Sequence, residues 1–280
     1  MQISRSKGNA PVSDLTFPEI ISLTSAYPVF LRIPVKLTLA SMTSPKYRDF
    51  PNDNRVTLND NNYPIALFQN ALNLLAHILI GFVVGIPLLF AFQSGLPLVP
   101  IQQHIVLCVL GYKLLMAEAI LSLCPHNGWT NRLQLVHKRR VHWILQVLGS
   151  ILAIAGSTVI ITHKYNEDTN FNTYHGQFAL VALVFTTVSL VNGLASLYAN
   201  ELRKFLPGNW SKITHVCFGI VAFSASCITL CFGFDKLLFR TWAGSDFANT
   251  LIAFTVILAL IILINPAITF FYKSKRVLKR

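Results

Sequence analysis

Lys138-Arg139-Arg140-Val141-His142-Trp143-Ile144-Leu145-Gln146 is the stretch that decides how the rest of the chain is read. Three cations stop abruptly, and a long apolar run begins with a histidine in its first turn. Cations at the edge of an apolar run mark the surface of a lipid bilayer. An ionisable ring just below that surface is costly, and is a functional candidate for that reason. His104, His175 and His215 hold the same kind of place, each just inside the start of an apolar run.

Composition agrees with a membrane reading. The 280 residues are 53% hydrophobic and only 12% charged, against about a quarter charged in soluble domains. Mean hydropathy is +0.54. The net charge of +12 is explained by cytoplasmic loops rather than by nucleic acid, since no basic repeat is interleaved with aromatic residues. Six apolar runs follow one another at 70–93, 101–123, 141–162, 175–198, 213–234 and 248–272. Each is long enough to cross a hydrocarbon core of about 30 Å as a helix rising about 1.5 Å per residue. The expected fold is therefore an all-α membrane protein, a six-transmembrane-helix bundle. Short connections make successive helices antiparallel neighbours.

Residues 1–65 are polar and rich in Pro and Asn, and Arg32, Pro34 and Lys36 interrupt their most apolar part. We read them as a disordered tail, with 66–280 as the transmembrane domain. Lys and Arg set the orientation. The tail, Arg132, Lys138, Arg139, Arg140, Arg203, Lys204, Lys212, Lys273, Lys275, Arg276, Lys279 and Arg280 fall on one side, and Lys164, Lys236 and Arg240 on the other. Both termini are then cytoplasmic. So is the sequon Asn209-Trp210-Ser211, which is expected to be unused. The five cysteines lie in or beside apolar runs without a C-x-x-C pair, and read as small buried hydrophobes.

The alternation of helix direction sorts the four histidines. His104 and His175 start spans that run inward from the far side, so both lie near the non-cytoplasmic face. His142 and His215 start spans that run outward, so both lie near the cytoplasmic face. Two facing imidazoles are the axial ligands that a b-type haem takes. The expected pairs are His104 with His175 and His142 with His215, holding two haem irons per chain. Gly149, Gly156, Gly176, Gly193 and Gly219 offer room for a flat macrocycle. A haem-free transporter, using the same histidines for a metal or for protons, is the alternative. His126, His137 and His163 belong to loops or their margins, and His77 either binds a haem propionate or packs.

Ala76-His77, Met116-Ala117-Glu118-Ala119, His142-Trp143-Ile144-Leu145-Gln146, His175-Gly176-Gln177 and His215 followed by Gly219 together resemble the cytochrome b561 domain. The likeness covers the six spans and is greatest to the short b561 domain proteins of animal endomembranes. One word differs: relatives usually have Trp-His-Pro at the first ligand, where this chain has Gln103-His104-Ile105. The resemblance implies the same two histidine pairs and two b haems. It also implies ascorbate as cytoplasmic donor and monodehydroascorbate or ferric iron as acceptor. Its further implications are an endoplasmic reticulum or vesicle membrane and, among assemblies, a homodimer.

On that reading Lys138, Arg139, Arg140, Arg203 and Lys204, with Lys212, surround the cytoplasmic mouth and steer a small anionic donor. Glu167, Asp168, Asp235 and Asp246 lie on the far side, where carboxylates suit a hard ferric ion. Gln146, one turn after His142, is within reach of that ring or a propionate, but is expected in an interfacial structural role. Glu118 is expected near the cytoplasmic end in a structural role, with Lys113 pairing it only loosely.

Overall fold

Inside a bilayer every backbone N–H and C=O must find its partner within the protein, and a helix satisfies them within one segment. A computed structural model describes residues 63–125, 127–165, 171–198 and 208–278, which are helical with short connections. Six of the helices are long and apolar enough to span a membrane. They are α1 (Tyr63–Phe92), α2 (Pro100–Leu121), α3 (Leu135–His163), α4 (Tyr174–Leu197), α5 (Gly208–Phe234) and α7 (Ser245–Leu278). The short α6 (Leu237–Ala243) joins α5 to α7. Large apolar side chains such as Leu89, Val184, Leu260 and Phe271 face outward, as lipid allows and water does not. The chain is an integral multi-pass membrane protein.

Local chemistry sets several boundaries. Pro100 opens α2, where its missing N–H costs nothing, and the Gln102 side chain accepts from Val99 N at 3.0 Å. Thr173 caps α4 by accepting from Gly176 N. Gly244, at φ 84°, makes the turn from α6 into α7 that a side chain would oppose. Two boundaries differ from the sequence reading. Helix α1 begins at Tyr63, inside the segment assigned to the tail, whose residues 1–62 lie outside those described. Helix α3 begins at Leu135, so Lys138, Arg139 and Arg140 are its first turns rather than a preceding loop.

Four spans form the centre as two antiparallel hairpins. In the first, α2 and α3 touch backbone to backbone. A Cβ on Gly111 would lie 2.7 Å from the Gly149 carbonyl oxygen, and one on Gly149 would lie 2.9 Å from that of Gly111. Without a hydrophobic force between helices in lipid, such close approach at small residues drives their association. In the second hairpin, Ser196 and Ser211 bridge α4 to α5 at 2.7 Å. Tyr112, Met116, Ala153, Ala182 and Ala225 pack where the hairpins meet, and Thr186 donates to the Tyr112 hydroxyl across that seam at 3.3 Å. Helices α1 and α7 flank the four, packing through Leu79, Val83, Phe223, Leu258 and Ile262. The middle of α2, Val109–Met116, is wound as a π-helix.

Candidate functional site

The antiparallel hairpins bring the four spanning histidines together in two pairs at opposite ends. His104 and His175 stand with ring centres 6.3 Å apart and planes at 78°. His142 and His215 stand with ring centres 6.3 Å apart and planes at 88°. All four rings are partly buried.

Each ring is oriented by a carbonyl on the other helix of its own hairpin. His104 Nδ1 lies 3.0 Å from the Gly156 oxygen, and His142 Nδ1 lies 2.8 Å from that of Ala119. His175 Nδ1 lies 2.9 Å from the Thr229 oxygen, and His215 Nδ1 lies 2.9 Å from that of Ser189. A carbonyl oxygen only accepts, so each Nδ1 carries the proton and donates it. Each Nε2 is left with its lone pair, the form in which a neutral imidazole binds a metal. The hairpins repeat one another in this. The separations along the chain are 52 and 54 residues for one pair, and 23 and 26 for the other.

Haem iron can be tested against this geometry. With about 2 Å per metal–imidazole bond and about 1.1 Å from ring centre to nitrogen, axial rings on one iron sit about 6.2 Å apart. Both pairs match that spacing. The second hairpin also makes room beside its rings. A Cβ on Gly193 would lie 3.0 Å from His215 Cε1, and one on Gly233 would lie 3.5 Å from His175 Cε1. Next to His142 and His215 opens a cavity of about 350 Å³, lined mostly by apolar residues such as Val147, Leu190, Ile220 and Phe223. Gln146, Gly193 and Gly219 line it as well. The residues present fit the group.

The basic mouth differs in detail from the expectation. Lys212 and Lys273 line the cavity together with the two histidines. Lys273, on the last span, looked in the sequence like a topological cation only, since nothing in its neighbourhood points to a helix that arrives beside α5. Lys138 is buried and donates to the Cys124 carbonyl at 3.1 Å, tying the α2–α3 connection, while Arg139 and Arg140 are exposed. Arg203 and Lys204 lie outside the described residues.

The remaining candidates resolve into structural contacts. His77 has acceptors at both nitrogens, Glu118 Oε1 at 2.8 Å and Asn127 Oδ1 at 2.9 Å, because the Asn127 amide donates to Thr130. Trp129 Nε1 donates to the other Glu118 oxygen at 3.0 Å. With both nitrogens engaged, His77 has no lone pair to offer. Glu118 therefore pairs with His77 rather than with Lys113, and the network ties α1 to the end of α2. His137 and His163 are exposed, and His126 lies outside the described residues. On the far side Arg240 grips Asp235 at 2.7 Å, Asp246 is exposed, and Glu167 and Asp168 lie outside the described residues.

Known proteins place this arrangement. The family model described as eukaryotic cytochrome b561 matches residues 103–240, which carry all four paired histidines. Transmembrane reductase CYB561D2 of Mus musculus is 25% identical over 202 residues, covering 71% of this chain and 89% of that protein. The protein of the same name from Homo sapiens is 26% identical over 202 residues, with the same coverage of each chain. The matched segment, the six spans and the paired rings agree in making residues 103–240 similar to the cytochrome b561 domain family.

Proposed function

We propose that this chain is an oxidoreductase that carries electrons across a membrane, using b-type haem at two centres. His104 with His175 hold one centre, and His142 with His215 hold the other. The reading is carried by one observation: all four Nδ1 atoms donate to backbone carbonyls, leaving four Nε2 lone pairs on two pairs of rings whose centres are 6.3 Å apart. When bound between these histidines, haem would supply single-electron chemistry. The chain's own groups fix everything else. The carbonyls of Gly156, Ala119, Thr229 and Ser189 hold each ring's tautomer and angle. The mostly apolar cavity wall lowers the polarity beside His142 and His215.

Positive-inside topology places both termini and the His142–His215 end in the cytoplasm. Lys212 and Lys273 at that mouth attract a small anion and offset carboxylates. Ascorbate, an anion at neutral pH, is the donor that suits it. On the far side the acceptor is monodehydroascorbate or ferric iron, with Asp246 an exposed carboxylate there. The membrane is that of the endoplasmic reticulum or of vesicles. The names of the relatives, transmembrane reductases, support electron transfer over a haem-free transporter.

Purified protein tests this directly. A reduced-minus-oxidised spectrum with split b-type bands, at two haems per chain, is the expected result. A featureless spectrum would sink the reading. Sealed vesicles holding a ferric chelate then test direction, since ascorbate added to the cytoplasmic face is expected to reduce the trapped iron.

A further inference from the structure

Lys113 is 2% exposed, in the π-helical middle of α2. Its ammonium donates to Ser226 Oγ at 2.8 Å and Cys227 Sγ at 3.0 Å, both on α5. The Phe223 ring lies 4.8 Å from the same nitrogen. Ser226 sends its own proton to the Phe223 carbonyl at 2.7 Å, so its lone pairs are turned to the lysine. Three donors thus meet a hydroxyl, a sulfur and a ring face, which suits a cation. No ion pair to Lys113 occurs among the described residues. A cation within a span is expensive and marks function by default, and π-helical turns gather at functional sites.

Its position says what it acts on. Along α5, Ser226 precedes Gly233, which lies against the His175 ring, by about 10.5 Å and follows His215 by about 16 Å. The charge therefore lies between the two histidine pairs, nearer to His104 and His175. We propose that the Lys113 ammonium is a fixed internal positive charge that makes the His104–His175 centre the stronger electron acceptor of the two. A centre reduced by one electron gains one negative charge, and a nearby cation in a poorly screened interior favours that state. The bias draws electrons away from the His142–His215 end. Lys113 touches neither histidine pair and acts as a positioning charge. The inference rests on the two-centre reading above.

The test is a redox titration of the full-length, haem-loaded protein in nanodiscs, for wild type, Lys113→Met, Lys113→Gln and Lys113→Arg. The component lost in His175→Ala identifies the nearer centre. Lys113→Met is expected to weaken electron affinity there at least tenfold relative to the other centre, about 59 mV on a one-electron couple. Lys113→Arg is expected to keep the wild-type gap. Equal shifts at both centres, or none, overturn the proposal. Loss of haem from both Lys113→Met and Lys113→Gln makes the lysine a folding element and also overturns it. A wild type without b-type bands removes the two-centre reading itself.

Discussion

His142 and His215 face each other with ring centres 6.3 Å apart, although 73 positions and two hairpins of one chain separate them. His104 and His175 repeat that spacing at the other end of the bundle. The pairs share no residue, so each is expected to be lost alone. Ala in place of His142 or of His215 removes the centre beside the cavity and leaves the other. Haem per chain falls by half in either variant, and the split band becomes single. Loss of both haems, or of neither, in these single variants would refute the pairing.

Gly193 and Gly233 set up a graded steric test. A Cβ at Gly193 would meet His215 Cε1 at 3.0 Å, tighter than side chains ordinarily pack, whereas at Gly233 the contact with His175 is 3.5 Å. Gly193→Ala is expected to tilt the His215 ring and broaden the electron-paramagnetic signal of that centre. Gly233→Ala is expected to leave its centre unchanged. Equal effects at the two sites would mean the glycines do not gauge ring clearance.

Lys273 lines the same cavity as His142 and His215 but arrives from α7. Its charge is expected to act on encounter with an anionic donor. Lys273→Ala lowers the second-order rate of reduction by ascorbate about tenfold at low ionic strength, in stopped flow. The deficit shrinks as added salt screens the wild type. A rate loss independent of salt would assign the lysine to structure.

Gly111 and Gly149 let two backbones meet at 2.7 Å and 2.9 Å from where side chains would begin. The nearest atom in each case is a backbone carbonyl oxygen, which cannot swing aside. Gly111→Val and Gly149→Val are each expected to cost at least about 1–3 kcal/mol by overpacking. The thermal midpoint in detergent falls accordingly. Since α2 also carries His104 and the Ala119 carbonyl that aims His142, both centres loosen together.

His77 and Glu118 join α1 to α2 at 2.8 Å. A double-mutant cycle with His77→Phe and Glu118→Gln is expected to give a coupling of about 0.5–3 kcal/mol, the range for residues in contact. Haem content is expected to stay at the wild-type level in all three variants, because His77 has both nitrogens occupied. Haem loss in His77→Phe would return that residue to the site.

The spans, and the sorting of four histidines to two ends, were legible in the sequence for a plain reason. Hydropathy over twenty residues and the alternation of helix direction depend on order along the chain alone. Much of the site was not legible, because it depends on how far each helix is rotated about its axis. Lys113 read as a loose partner of Glu118, yet the π-helical turn carries it to Ser226 and Cys227 on α5. Lys138 read as an open cation, yet an earlier helix start turns it onto the Cys124 carbonyl. A pattern was present for half of the ring supports. Ser189 and Gly193, like Thr229 and Gly233, place a carbonyl and a gap one turn apart against an imidazole. Its meaning appears only once the facing helix is known.

By itself the sequence determined the six apolar spans between residues 70 and 272, and which rings share an end of them, since the energy of burying a residue in lipid follows its type and depth. Only the tertiary structure decided which carbonyl claims each Nδ1, which lysines reach the cavity and which cation is sealed between the two histidine pairs. Those contacts join residues far apart in order, and packing at small side chains fixes them to fractions of an ångström.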